Sequence, residues 1–249
     1  MKRREYVARN ISLLCRRKYK LKCGITLHIP TIGEIRGESD EDVEEYYSLL
    51  TPFVSTPSDF IVELYDKGID FQTITDEYLF FLTMLSSLPP KDYHLIFEGA
   101  GNITWMARTG EDGDPIIYDL DYGIVIDRQA YEEISETLRL MHYKEKTHIE
   151  CCNKRAYEMV VKIERKKKRI AERDKNYNQF DAMILFLVNN ANFKYDFQTV
   201  RTLSIYDFLS SSKQILKSEH VDKLLIGGYS GGIDLSKIPK TELDKFKLN

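Results

Sequence analysis

Ser230 sits in Gly227-Gly228-Tyr229-Ser230-Gly231-Gly232, where a serine nucleophile or a phosphate-cradling loop would be sought. Neither pattern is complete. A Walker loop needs GxxxxGK followed by Ser or Thr, and a dinucleotide loop needs a strand before it and a helix after it. Here a helical pattern precedes and Asp234-Leu235 follows. A nucleophile elbow needs a strand-to-helix turn and a base, and no spacing places a histidine beside Ser230. Gly99-Ala100-Gly101-Asn102 also lacks GxGxxG. A helix-ending turn explains the GGYSGG cluster, because glycine takes positive φ at no steric cost.

The carboxylates give the next candidates. Asp119 with Asp121, and Asp112 with Asp114, could supply general acid and base, so a hydrolase built on Asp119 and Asp121 is a rival reading. Their setting in DLDYG and EDGD reads as turn chemistry, where Asp bonds backbone two residues on. The acidic run Ser39 to Glu45 lacks the alternating oxygen ligands around a glycine turn that a hard cation needs. His142 and His148 are six apart, off the i, i+4 spacing of a helical metal pair, and read as surface or boundary histidines. Cys15 and Cys23 lack a CxxC partner, and Cys151-Cys152 cannot bridge to each other without strain. The expectation is therefore no catalytic residue, no metal site and no cofactor.

The elements that must position these residues follow from caps and periodicity. Lys20 to Ile29 alternates as a strand ending at Pro30. Thr31 with Glu34 has capping-box spacing, and Ser39 repeats the signal before Val43, Tyr46, Tyr47 and Leu50. Thr56-Pro57-Ser58-Asp59 starts a helix through Phe60, Ile61, Leu64 and Tyr65, ending at Gly68. Thr73 or Thr75 starts the next, with Tyr78, Leu79, Leu82 and Leu85 on one face and Pro89-Pro90 at its end. His94–Phe97, Ile103–Ala107, Pro115–Tyr118 and Gly123–Ile126 read as short strands separated by glycine turns. Asp127 caps a helix with Tyr131, Ile134, Leu138 and Met141 in phase, and the helical pattern continues through Lys175 as an exposed, basic helix. Asn176 to Gln179 breaks it. A short, mostly buried helix is expected over Phe180–Ala191, an amphipathic one over Leu203–Leu216, and a last one over Pro239–Phe246.

The fold class expected is α+β, mostly α-helical, with a small antiparallel β-meander insertion. Three segments are expected: 1–90 (basic arm, strand and helices), 91–126 (the meander) and 127–249 (a helical region with the long basic helix). With 43% hydrophobic residues the chain has ample material for a core. The longest apolar stretch, Ala182 to Val188, is far short of the roughly 20 residues that span a bilayer, so no membrane partner is expected. With no secretory pattern visible, a cytosolic protein with reduced thiols is expected.

Surface chemistry points to binding. The net charge is only −3, yet charge comes in blocks: basic 2–22, acidic 34–45, basic 162–175. Such blocks are either solvated faces or docking surfaces for partners of opposite sign. Lys162, Arg165, Lys166, Lys167, Lys168 and Arg169 form the candidate basic patch. Nucleic acid is the alternative partner, through 2–22 and 162–175, although base-reading aromatics are missing from the second block. Tyr195, Phe197, Tyr206, Phe208 and Tyr229 are the candidate partner-binding anchors, with core packing as the competing reading.

Several phrases taken together carry a resemblance: Thr31 to Ile35 (TIGEI), Ser48 to Phe71 (SLLTPFVSTPSDFIVELYDKGIDF), Tyr122 to His142 (YGIVIDRQAYEEISETLRLMH), and YDFQTVRTLSIYDFLSSSKQI with GGYSGGIDLSKI near the end. In that order they resemble proteins of the structural-gene modules of tailed bacteriophages, similar to tail or baseplate assembly chaperones. The resemblance implies a non-enzymatic morphogenesis protein that binds tail or baseplate proteins, as an assembly chaperone or a minor virion component. It also implies residence in the host cytoplasm during assembly or in the virion, and leaves self-association open. It supplies no catalytic residue, and the basic N-terminal extension departs from it.

Overall fold

The computed structural model describes residues 13–86, 91–173 and 179–246. The basic stretch 2–12, the Pro89-Pro90 stop and the break at 176–178 lie outside the described residues. The protein is α+β and mostly helical, with small antiparallel sheets.

The chain enters as a hairpin, β1 (Lys18–Lys20) against β2 (Thr26–His28). The single strand expected over Lys20–Ile29 is thus two. Gly24 makes the turn at φ +96°, and Leu21 donates its N–H to the Ile25 carbonyl at 2.8 Å. Helix α1 (Ile32–Arg36) begins at Thr31 with the expected capping box: the Glu34 N–H bonds the Thr31 hydroxyl at 3.0 Å, and the Thr31 N–H bonds the Glu34 carboxylate at 2.6 Å. Helix α2 (Asp40–Val54) repeats it with Ser39 and Asp42. These reciprocal bonds satisfy backbone donors that a helix start otherwise leaves orphaned.

A single 3₁₀ turn (Pro57–Asp59) leads into α3 (Ile61–Asp66), and Gly68 ends it at φ +72°. Helix α4 (Asp76–Ser86) follows, the Thr75 hydroxyl accepting from the Tyr78 N–H at 3.1 Å. Its buried face is Leu79, Phe80 and Phe81, while Tyr78 and Leu82 are exposed, so the expected stripe is rotated. Phe80 turns inward because it packs on Phe53 and stacks on Tyr131 at 4.5 Å.

Strands β3 (Lys91–Asp92) and β4 (Asn102–Ile103) form a minimal pair. The expected strand His94–Phe97 is a turn, with the Phe97 N–H bonded to the Tyr93 carbonyl at 2.9 Å. Strands β5 (Met106–Thr109), β6 (Pro115–Asp119) and β7 (Ile124–Ile126) make the antiparallel meander. Asp127 then caps α5 (Arg128–Met141), whose Tyr131, Ile134, Leu138 and Met141 are all buried.

The helix expected to run on to Lys175 stops at His142. Tyr143 takes φ +51°, its N–H bonds the Leu140 carbonyl at 3.2 Å, and the Lys144 N–H bonds the Arg139 carbonyl at 2.9 Å. This is a Schellman stop with tyrosine where glycine is usual. Residues 144–153 form neither helix nor strand, and α6 (Lys154–Arg173) starts afresh. Helix α7 (Gln179–Val188) buries Phe180 and Leu187 but exposes Leu185 and Phe186, less burial than its apolar sequence suggests. A 3₁₀ turn (Val200–Thr202) leads to α8 (Ile205–Tyr229), far longer than the amphipathic stretch expected. No closing helix forms over Pro239–Phe246; these residues are turns.

Two hydrophobic clusters result. The larger draws residues from Leu13 to Ile215, with Tyr46, Phe53, Phe80, Phe97 and Phe208 among its bulkiest members. The smaller joins Ile61 and Leu64 of α3, Phe71, Leu79 of α4 and Val161 of α6. Tyr157 stacks on Phe71 over it, centroids 4.9 Å apart. The second cluster explains the break after His142: the chain must cross to α3 before α6 can pack there.

Candidate interaction surfaces

Two of the five aromatic anchors are core. Tyr206 is 3% exposed and Phe208 is fully buried, at the start of α8 where that helix packs on Tyr143, just past α5, and on Phe180 of α7. Neither can reach a partner, which corrects their assignment as anchors. Their phase, with Ile205 and Ser212 also buried, places them on the face turned to the large cluster. Tyr195 and Phe197 are 38% and 54% exposed on the loop before α8, Tyr195 resting on Phe193 at 5.3 Å. Tyr229 is 85% exposed at the far end of α8.

That far end has its own construction. The chain reverses at Gly231, φ +75°, and runs back along α8. The Gly232 and Ile233 N–H groups both bond the Gly227 carbonyl, at 2.9 and 3.1 Å. The Ile233 and Leu235 side chains press against Gly227 and Gly228, so a Cβ at either would make them shift. Farther along, Gln214 donates to the Lys245 carbonyl at 2.6 Å, and the Lys245 ammonium pairs with Asp222 at 2.6 Å. GGYSGG is thus a helix-ending turn, as expected, and also the seat of a strap. Ser230 donates its hydroxyl proton to the Gly227 carbonyl at 3.0 Å, capping the helix. Leu216, Ile226 and Tyr229 stay exposed beside the strap, with Phe246.

The basic patch divides. Arg165 pairs with Asp66, Lys168 with Glu63, and Lys167 with Glu164, so these three pin α6 to α3 or to itself. Lys162, Lys166 and Arg169 are exposed and form no ion pair among the described residues. Arg155 and Arg173 continue their row. At 100° per residue these five fall within about 40° of one line. Met159, Ile163 and Ile170 flank it, all exposed. The spacing 155, 162, 166, 169, 173 was present in the sequence and is the signal that separates the free cations from the paired ones.

The residues weighed for catalysis have local duties. Asp119 is buried and accepts from the Thr104 N–H at 3.1 Å and the Tyr122 N–H at 2.9 Å, tying β4 and the next turn to β6. Asp121, Asp112 and Asp114 stand on exposed or half-open turns. His142 is half-buried, at the boundary where it was expected. Its Nδ1 lies 2.8 Å from the Leu138 carbonyl, which only accepts, so Nδ1 carries the proton and Nε2 accepts from the Tyr46 hydroxyl at 2.6 Å. Burial lowers its pKa to about 4. His148 is exposed beside Glu150. Asp42 holds the N-cap, and backbone N–H groups of Ser39 and Glu38 lower its pKa. Among the described residues no group of three or more His, Cys, Asp or Glu side chains is arranged to hold a metal ion, and no helix is long and apolar enough to cross a membrane.

Two features escaped sequence reading. Arg139 is buried on α5, donating to the Val54 carbonyl at 2.9 Å and the Ser55 carbonyl at 3.0 Å, with Asp76 3.3 Å away. A cleft of about 740 Å³ opens between α3 and α6, lined by Tyr65, Asp70, Gln72, Cys151, Tyr157 and Glu158. No local pattern announces either, because both are made by residues distant in sequence. No family model, curated protein or solved structure matches the chain.

Proposed function

We propose that the protein works by binding other proteins, as an assembly factor or minor structural component of a tailed-phage particle, without a reaction centre of its own. The observation that carries the binding half of this reading is the far end of α8. Ile226 and Tyr229 stand exposed there one turn apart, on a helix whose other end buries Ile205, Tyr206 and Phe208, and Leu216 is exposed farther up the same helix. Exposed large apolar groups that gather on one element mark contact sites more often than singly scattered ones do. Aromatic anchors of this kind dominate binding energy when a partner desolvates them. Tyr195 and Phe197 supply a second exposed aromatic pair. The phage half rests on the order of the TIGEI, STPSDF, YGIVID and GGYSGGID segments.

The test is co-purification of the tagged chain with candidate tail and baseplate proteins, together with mass spectrometry of purified particles. Tyr229→Ala with Ile226→Ala is expected to lose the partner while unfolding like wild type. Phe208→Ala is the stability control: emptying a fully buried site costs about 3–5 kcal/mol. Capture of no tail or baseplate protein, with the chain also missing from particles, overturns the reading.

A further inference from the structure

The free face of α6 carries cations and exposed apolar side chains together. Arg155, Lys162, Lys166, Arg169 and Arg173 line it over about 27 Å of helix, at a 1.5 Å rise per residue. Along one border of this row Met159 is 63% exposed, with Ile163 and Ile170 also exposed. The face therefore pairs cations with apolar surface. Its complement lies elsewhere on the same chain. On the exposed side of α2, Glu41, Glu44 and Glu45 form no ion pair among the described residues, and Tyr47 is half exposed next to them. Asp40, in contrast, is engaged by Arg36 at 3.0 Å. Among the described residues the ion pairs of α6 shown here go to α3 or to α6 itself, and none reaches α2.

We propose that the basic face of α6 docks on the acidic face of α2 of a second copy of the chain. The reading is independent of any tail or baseplate partner, since it uses different helices. Complementary charge would set orientation and encounter rate, and the apolar borders would supply the buried area. The contact is not self-complementary, because it joins two different patches. Copies therefore add head to tail, or close into a ring or a reciprocal pair.

Sedimentation of the purified full chain across protein concentration tests this. At low salt the wild type is expected to exceed the 29.2 kDa of one chain, and to return to it as salt screens the faces. Lys162→Glu with Lys166→Glu and Arg169→Glu, and separately Glu41→Lys with Glu44→Lys and Glu45→Lys, should each remain single chains with wild-type circular dichroism. An equal mixture of these two variants should associate again, because the unaltered basic α6 face of one can dock on the unaltered acidic α2 face of the other, and the two reversed faces are also opposite in sign. Wild type at one-chain mass up to its solubility limit overturns the proposal. So does association that survives either reversal, or two folded variants that fail to rescue each other. A wild type that stays monomeric but binds a short DNA duplex, with salt-sensitive affinity lost on Lys162→Glu, assigns the face to phosphates and also overturns it.

Discussion

Tyr143 stacks on Tyr206 with centroids 5.6 Å apart and planes 12° from parallel, while its own backbone sits at φ +51°. The two facts belong together. A left-handed residue at a helix stop costs about 1–2 kcal/mol unless it is glycine. Tyr143 recovers this through its side chain. Its hydroxyl bonds the Ser210 hydroxyl at 2.8 Å, and the Lys213 ammonium lies 4.4 Å from the ring centroid. The end of α5 is thus fixed by α8, about 60–70 residues later in the chain.

This arrangement reverses a usual ranking. In ordinary helix positions alanine is better tolerated than glycine by about 1 kcal/mol. Here both Tyr143→Ala and Tyr143→Gly lose the stacking, but only glycine releases the strain. Tyr143→Gly should therefore be the more stable variant by about 1 kcal/mol. Chemical denaturation of both proteins measures the difference. Equal stabilities, or alanine ahead, would mean that the positive φ is not what ends α5.

His142 makes stability fall in mild acid. Its folded pKa is lowered to about 4 by burial, with the nearby Lys144 charge adding to the effect. An unfolded histidine titrates near 6.5, so between about pH 6.5 and 4 the unfolded chain binds the extra proton. Stability contributed by the neutral, Tyr46-bonded ring is intact above about pH 6.5 and is lost as pH drops towards 4. The full loss is on the order of 3 kcal/mol, from 1.36 kcal/mol per pKa unit. His142→Gln should be less stable at pH 7 but lose less on going to pH 5. Urea unfolding at the two pH values checks this, and an unchanged pH slope in the variant would remove His142 as its source.

Arg139, one turn before His142 on α5, meets the C-terminal end of α2. Its guanidinium bonds the last carbonyls of α2, where the helix leaves acceptors orphaned and the dipole favours a cation. Arg139→Met keeps much of the stem but strands two buried carbonyls and leaves Asp76 with Lys146 alone, 3.4 Å away. A loss of about 3–5 kcal/mol is expected from breaking such a buried network. Arg139→Lys should recover only part of it, because one ammonium cannot replace the planar fork. Thermal unfolding of both variants gives the test, and a lysine variant equal to wild type would contradict it.

What was legible in the sequence was local chemistry. Thr31 with Glu34, Ser39 with Asp42, and Asp127 announced their helix starts because each cap is made by residues within three positions. Strands β6 and β7 were legible for the same reason, through glycine turns and short β-type runs, whereas the run expected over Ile103–Ala107 divides between β4 and β5. The failures lie where distant packing decides. Tyr143 gives no stop signal until Tyr206 is placed against it. Phe80 faces inward because Phe53 and Tyr131 wait there. Tyr206 and Phe208 looked like anchors because an amphipathic stripe does not reveal whether a partner or the chain's own core will cover it. Gly24 was the exception: a glycine inside an alternating run is a turn signal, and it marks the hairpin.

Gly227 and Gly228 provide the last test, because two local effects oppose each other there. Inside a helix, glycine is destabilising by about 1 kcal/mol relative to alanine, so replacement should strengthen α8. An added Cβ at Gly227 would stand 2.5 Å from Ile233 Cδ1, and one at Gly228 would lie still closer to Leu235. Those side chains belong to the strap, which is otherwise held at its far end by Gln214 and Asp222. The strap should therefore lift while the helix persists. Gly227→Ala with Gly228→Ala is expected to keep helical circular dichroism and global stability within about 1 kcal/mol, since helix gain offsets strap loss. Proteolysis between Ile233 and Lys245 should speed up markedly. Unchanged protection of that segment would show that the glycines are not what seats it against α8.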